Sequence, residues 1–447
     1  MEGGLPMKVY STYSVKIKHY NKIFAETVAV YRSAVDYLIN VVADEWDVVK
    51  DVEGSQARMR CVESLCHGTK NRLPKYDFDK KFYKFPSYLR RGAINEAIGK
   101  VSSYMSNLTN WNAEPKGKAP SRPKAGYVYP CLYRDNMYEQ TDTYVARIKV
   151  YIRNTWDWLT VSLRKTDVDY IRRRCSDRKQ CAPTLMKRGH QWFLDFPFEE
   201  NVKLNNANVI EQTAVAVDLG INSSATVSVM RSDGTILYRR FLTLRKEQDS
   251  LTHAINRIKK AQQNGNYKTP RLWAKAKGIN NDIAVKTAQF IMDIAILYSA
   301  DVIVFEHLDR SGKKRGSKKQ RLHLWKSQYV QKMVTDKAHR LSMRVSHICA
   351  WGTSKLAFDG SGFVLRGRDA ELKSYSVCKF QSGKIYNCDL SASYNIGARY
   401  FIREIIKSVP ARVRLALEAK VPQVAKRSTC TLSTLISLNA ELVSYAS

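Results

Sequence analysis

The chain has 447 residues, 44% apolar and 11% aromatic. That excludes a disordered polymer and leaves room for two or three domains. Lys and Arg number 74 against 41 Asp and Glu, a net charge of +33, which makes nucleic acid the leading partner class, with a basic surface that has no specific partner as the alternative.

Residues 1–10 lack the apolar core and cleavage site of a signal peptide, and the most apolar stretch, 283–298, carries Lys286, Gln289 and Asp293, so it reads as a buried helix. Nine cysteines without CxxC spacing give no disulfide framework, and a reducing, cytoplasmic setting is expected.

Residues 9–17 (VYSTYSVKI) alternate and are rich in β-branched and aromatic residues, which predicts a strand. From about 20 to 52 the apolar period becomes helical, with Phe24, Val28, Tyr31, Ala34 and Leu38 on one face. A second helical block covers 87–111. Between them, 70–84 reads as a polar, basic connection carrying Tyr76, Phe78, Phe82 and Tyr83, and the prolines and lysines of 114–124 (EPKGKAPSRPK) read as a linker. Strand patterns follow at 144–152, 158–163 and 190–198. One strand before the helical block and several after it predict a β-domain with a helical insertion. Tyr76, Phe82, Tyr83, Tyr127, Tyr129 and Tyr133 interleave with cations, as base-stacking platforms would, but core or barrel positions are the expectation for most of them.

The texture changes near residue 213. An apolar strand, a Gly220 turn and an alternating strand fill 213–229, and a hairpin turn at Gly234 leads to a strand at 236–241. A basic helical stretch (250–278), the 283–298 helix and a short buried strand (302–305) come next. Hairpin, helix and strand in that order give an α/β core of the RNase H type. The expected fold class is therefore multidomain, α+β in the first half and α/β in the second.

Three acidic residues stand at the ends of apolar runs or at a helix start. Asp218 closes Ala214-Val215-Ala216-Val217, Glu306 closes Val302-Ile303-Val304-Phe305, and Asp389 opens an amphipathic helix at 390–406. Each also has an ordinary reading: Asp218 as a turn residue before Gly220, Glu306 as a local partner of His307 or Arg310, Asp389 as a helix N-cap. Brought together, the three would repel one another and raise each other's pKa. Divalent metal resolves that conflict, since Mg²⁺ takes oxygen ligands and two such ions suit phosphodiester hydrolysis.

These three settings resemble a known family. VAVDLGINSSATVSV resembles the first RuvC motif of the transposon-encoded TnpB proteins and compact type V CRISPR effectors, with Asp218 at the metal-ligand position. DVIVFEHLD resembles the second and places Glu306. NCDLSASYNIGARYF resembles the third, placing Asp389, with Ala392 and Asn395-Ile396 matching its helix. The resemblance covers about 213–402. It implies an RNA-guided DNA endonuclease: a guide RNA held in a basic channel, a short motif recognised beside double-stranded target DNA, and cleavage at Asp218, Glu306 and Asp389 with two Mg²⁺ ions, for which Mn²⁺ can substitute. It further implies a monomeric protein in a ribonucleoprotein of the prokaryotic cytoplasm, associated with the nucleoid when on target.

The implied layout is a wedge-like β-barrel from 1–19 and 113–212, a helical recognition insertion at 20–112, a RuvC domain from 213–348 and 389–407, and a segment of unassigned role at 408–447. Residues 349–388 stand where the family carries a zinc ribbon. The paired CxxC motifs are missing there, with only Cys378 and Cys388 inside and Cys349 just before, so zinc is not expected and a degenerate ribbon held by Leu356, Phe358, Phe363, Val364 and Tyr375 is.

Three basic clusters are candidate nucleic-acid contacts. Lys313, Lys314, Arg315, Lys318, Lys319 and Arg321 follow Glu306. Arg257, Lys259, Lys260 and Arg271 flank Trp273, where the resemblance implies a role in holding the guide–target heteroduplex. Arg172, Arg173 and Arg174 are assigned to the guide-RNA scaffold. Two other readings stay open: a guided DNA-targeting protein that does not cut, and a guide-free RuvC-type nuclease or transposase.

Overall fold

A run such as Ala214-Val215-Ala216-Val217, apolar at every position, implies a strand covered on both faces, and the structure gives it that setting. The computed structural model describes residues 6–19, 22–69, 72–115, 117–133, 135–221, 223–308, 325–374 and 376–446. The chain divides into two compact units, Tyr10–Glu200 and Asn201–Ser447 with Met1–Val9.

The first unit runs β1 (Pro6–Lys16), α1 (Lys22–Asp44), α2 (Trp46–Lys50), α3 (Ser55–Cys66), α4 (Phe78–Lys81), α5 (Ser87–Ala113), β2 (Tyr138–Asp142), β3 (Val145–Ile152), β4 (Thr155–Ser162), α6 (Lys165–Arg174), β5 (Lys179–Gln180), β6 (Thr184–Arg188) and β7 (Gln191–Lys203). In one sheet β7 pairs with β1, β5 and β6, and β2, β3 and β4 form an antiparallel meander. A bridge between Ile17 and Leu163 ties the end of β1 to the end of β4. The long helix α1 docks on the meander, where the Thr27 hydroxyl accepts the Tyr151 N–H at 2.9 Å, and its Phe24 meets Trp192 of β7 edge-on.

Residues 70–84 differ from the expectation of a polar connection. Phe78 and Phe82 are buried and cluster with Phe85, their rings 4.8–6.0 Å apart, so Phe82 is core and not a stacking platform. The buried Arg90 of α5 reaches Glu63 of α3 at 3.1 Å, which fixes the helices against each other. The helix α3 went unread because its apolar face is narrow, with only Val62 and Cys66 buried.

The second unit runs β8 (Thr213–Asp218), β9 (Ala225–Arg231), β10 (Ile236–Leu242), α7 (Arg245–Gln263), α8 (Pro270–Leu297), β11 (Val302–His307), α9 (Ser327–Arg340), β12 (Arg344–Cys349), β13 (Leu365–Arg366), β14 (Val377–Lys379), β15 (Ile385–Asn387), α10 (Cys388–Ser408), α11 (Ala411–Lys420) and α12 (Leu432–Ala446). Its main sheet is mixed, in the order β10-β9-β8-β11-β12: the first three strands are antiparallel and β8, β11 and β12 are parallel.

Alternation along the strands divides the core in two. Val215, Val217, Ile303 and Phe305 pack under α8 and α9, whereas Ala214, Ala216, Val302 and Val304 pack under α10. Burial on both faces is what makes these strands read as continuous apolar runs. The α10 side is built from small residues, and at Gly397 a Cβ would run into the Met230 sulfur and stand 3.1 Å from Ala216 Cβ.

The stretch 408–447 is part of this core. Leu417, Val424, Leu432, Leu435 and Leu438 bury against α10 in one cluster with Phe401 and Ile405. The basic stretch 250–278 is divided by a turn after Gln263, and α8 then continues unbroken through 283–298. No helix among the described residues is long and apolar enough to cross a membrane.

Candidate active site: three carboxylates at the end of a mixed sheet

Strand register brings the first two acids together. The β8 and β11 strands run parallel with Val217 beside Phe305, so the next step along each puts Asp218 next to Glu306. Both continue the alternate positions that face α10, and α10 begins with Asp389 in its first turn. Helix capping leaves that carboxylate unused. The Asn387 side chain is the N-cap, accepting the N–H groups of Asp389 at 2.9 Å and Leu390 at 3.0 Å.

All three acids are half-buried, which keeps an open side toward solvent. Burial is the largest influence on each and raises its pKa. Asp218 is pushed well up, first by burial and then by the charges of Glu306 and Asp389, with Arg366 opposing. Glu306 is raised by burial against the Thr353 hydroxyl, which donates to its Oε1, and the Arg399 guanidinium. Asp389 is raised by burial against Arg366 and the Ser223 hydroxyl. Gly220 makes the Ser223 contact possible: a Cβ there would stand 2.7 Å from the Ser223 carbonyl, so only glycine permits this close turn.

Glu306 is steadied from α10. The buried Asn395 amide donates to the carbonyls of Thr353 at 3.0 Å and Leu356 at 2.9 Å, while its oxygen accepts Leu432 N–H at 3.2 Å. Arg399, 4% exposed, donates to the carbonyls of Cys349, Trp351, Ser428 and Cys430. Residues 349–356 and 428–432 are thereby stitched to one helix, and Thr353 is held beside Glu306.

Arg366, Thr353, Ser223 and Arg399 were not singled out in the sequence. Arg366 stands on β13 of a small antiparallel sheet with β14 and β15, opposite Cys378. Nothing about Arg366, 23 residues before Asp389 and close to Arg368, marks it in the sequence; only the folding of this small sheet brings its charge to Asp218 and Asp389.

Within 349–388, Cys378 and Cys388 pack with Ala357 and Phe380, and Phe358, Val364 and Tyr386 lean on that cluster. Burial, followed by the neighbouring Cys388, pushes the Cys378 thiol up to about 12. Phe363 departs from the expectation of a packing residue: it is 53% exposed and only its backbone pairs, with Leu356. Tyr375 lies outside the described residues.

The basic candidates fall in separate places. Arg257, Lys259 and Lys260 on α7 and Arg271 on α8 are exposed, as are Arg172, Arg173 and Arg174 at the end of α6. Lys313, Lys314, Arg315, Lys318, Lys319 and Arg321 lie outside the described residues. Tyr127 is 90% exposed, Arg32 stacks 4.8 Å from the Tyr129 ring, and Tyr133 stacks on Tyr88.

Comparison with known proteins follows this geometry. Residues 11–152 match the Aq_aa04 family. A TnpB-like protein, aq_aa05 of Aquifex aeolicus (strain VF5), is 27% identical over 238 residues, covering 47% of this chain and 74% of the relative. The chain is similar to a TnpB-like protein over about half its length. The uncharacterized protein aq_aa04 of the same organism is 50% identical over 50 residues, 11% of this chain and 28% of that protein. Among solved structures, Cas12f1 in complex with sgRNA and target DNA aligns with a TM-score of 0.52 at 11% identity, covering 84% of this chain and 81% of that one. The chain therefore shares an overall fold with Cas12f1, a mixed α/β architecture in more than one unit.

The TnpB relation implies divalent metal, and the donor set fits it. Three carboxylates raised by burial, Asp218 also by the charges of Glu306 and Asp389, are oxygen ligands for a hard cation, and Arg366, Arg399 and the Thr353 and Ser223 hydroxyls act against the rise. Among the described residues no three His, Cys, Asp or Glu side chains close into a ligand cage. Mg²⁺ keeps several waters and takes substrate phosphate as a ligand, so it does not require a closed cage of protein ligands.

Proposed function

We propose that this TnpB-like chain is an RNA-guided DNA endonuclease that cleaves through a RuvC site formed by Asp218, Glu306 and Asp389. The observation that carries this reading is the convergence of three pKa-raised carboxylates, from two parallel strands and one helix, on the α10 side of a five-stranded mixed sheet. That strand order, a three-stranded antiparallel meander extended by two parallel strands, is the RNase H-like arrangement. On this reading the second unit is the nuclease domain with 349–388 as a degenerate ribbon inserted in it, and the first unit is a wedge-like barrel bearing a helical recognition insertion.

Asp218, Glu306 and Asp389 would hold two Mg²⁺ ions, whose chemistry when bound would be to activate water and to neutralise charge on a leaving oxygen. The chain's own groups do the positioning. Thr353 orients Glu306, Ser223 orients Asp389, and Arg366 brings a guanidinium to the open side, where a phosphodiester oxygen can accept from it.

Guide and target would be held by exposed arginines and lysines on α6, α7 and α8. Recognition of the motif beside the target is assigned to a groove of about 970 Å³ along α5. Asn95, Asn107, Tyr104, Tyr127 and Tyr129 line it, and asparagine amides can pair with an adenine edge.

The test is to express the protein with its native flanking DNA, sequence any bound RNA, and incubate the complex with Mg²⁺ and matched DNA. Guided cleavage requires a discrete RNA, cutting by the native protein and intact DNA with Asp218→Ala. RNA without cutting selects the targeting-only reading. Unguided Mg²⁺-dependent cutting without RNA selects a RuvC-type nuclease that needs no guide.

A further inference from the structure

A second concave site lies in the nuclease-bearing unit, lined by none of the three carboxylates, although its wall residue Arg399 also acts on Glu306. It is a cavity of about 290 Å³ bounded by the end of β12, the outer turns of α10, α11 and the segment 424–430. Five cationic side chains line it, Arg399, Arg403, Lys407, Arg414 and Arg427, against the single carboxylate of Glu418.

These cations differ in what they have left to offer. Arg399 is committed to backbone carbonyls and serves as wall. Arg403 is divided among Glu404, the His347 carbonyl and Ser346. Arg414 meets Glu418 through Nε at 3.0 Å, which leaves its terminal amino groups available. Lys407 stands 3.5 Å from Glu404, and exposed Arg427 makes no hydrogen bond or ion pair among the described residues. A concave wall of one sign concentrates field and draws an anion in. The floor is different in kind: Ile402, Ile406 and Val424 present apolar surface between the cations.

Inorganic phosphate would answer the arginines and leave that floor wet, and an apolar molecule would leave the charges unanswered. A nucleoside phosphate satisfies both, and the volume sits at the small end of ligand pockets, about 300 Å³. A nucleic-acid duplex does not enter a cavity of this size. We propose that this pocket binds a single phosphorylated nucleotide, its phosphate on Arg414, Lys407 and Arg427 and its base or ribose on the isoleucine floor. The ligand is either a free nucleotide or the phosphorylated terminal nucleotide of a bound RNA. The pocket shares no carboxylate with the cleavage site, so the proposal holds or falls apart from the nuclease reading.

The full chain, stripped of nucleic acid, is titrated with the four ribonucleoside monophosphates, adenosine and inorganic phosphate. One-site binding is expected, with at least one monophosphate bound tenfold or more tighter than adenosine or phosphate. Arg427→Ala and Arg414→Gln should each weaken that binding about tenfold or more. A Lys50→Ala variant, which removes an exposed cation in the other unit, should bind as the native protein does.

Cys349 lines the pocket and is exposed, so its alkylation, located by peptide mass, reports occupancy independently of affinity. Protection by a monophosphate identifies a free-nucleotide site. Protection by a phosphorylated oligoribonucleotide and not by its hydroxyl counterpart identifies an RNA-end site. Unchanged Cys349 labelling with every probe, or equal binding by native protein and both arginine variants, overturns the proposal.

Discussion

At the scale of single residues, the unusual feature is a set of acids that the fold makes reluctant to ionise. Asp218, Glu306 and Asp389 all have raised folded-state pKa values. Well below pH 4 the groups are protonated in folded and unfolded chains alike, so their repulsion is absent. As pH rises from there toward the raised folded values, the unfolded chain loses its protons first and stability falls. Asp218→Asn should therefore raise the metal-free thermal midpoint at pH 7 and change it little near pH 3, while lowering cleavage roughly 10³-fold or more. Added Mg²⁺ should stabilise the native protein and not the variant. Equal midpoints for both proteins at pH 7 would show that the carboxylates do not repel.

Thr353 gives a finer test at the same scale. Its hydroxyl opposes the burial that raises Glu306, so Thr353→Ala should raise the Glu306 pKa further and move the acid limb of the cleavage profile to higher pH. Thr353→Ser keeps the hydroxyl and should return the limb to its native place. A uniform loss of rate at every pH, shared by both variants, would mean that Thr353 matters only for packing.

At the scale of elements, small residues let α10 approach β8 and β9 closely enough to bring Asp389 to the strand ends. Gly397→Ala places a methyl against the buried Met230 sulfur and should destabilise the protein by about 1–3 kcal/mol in urea titration. In a Met230→Ala background the same change should cost less than about 0.5 kcal/mol, because the obstructing side chain is gone. Additive losses would place the conflict elsewhere.

Legibility followed the same physics. The strands bearing Asp218 and Glu306 were readable because burial on both faces leaves only apolar residues, which then end abruptly in an acid. Asp389 was readable from the helix it opens. Arg366, Thr353 and Ser223 were not, since each is an ordinary polar residue given its place by long-range packing. Phe78 and Phe82 were misread because lysines crowd them in sequence, and only α1 and α5 closing over them make them core. The packing of 408–447 stayed hidden because its partners on α10 are apolar residues whose second face could not be known from spacing.

At the scale of the whole molecule, a net charge of +33 is a continuous pressure against compaction that bound polyanion relieves. If nucleic acid is that polyanion, affinity must fall with salt in proportion to the phosphates neutralised, with a slope of about −0.7 per contact for a single strand. The assignment of Arg172, Arg173 and Arg174 to the guide then has a numerical consequence. All three are exposed at the end of α6, where their loss leaves the core untouched. Replacing them together with alanine should make the slope of log K against log salt shallower by about 2 for the copurifying RNA. The thermal midpoint of the RNA-free protein should stay within about 2 °C, as expected of surface changes that remove no buried contact. A weakened complex with an unchanged slope would mean that the arginines act through the fold and not on phosphate, and the guide would then have to lie along other basic surfaces, such as the exposed cations of α7 and α8.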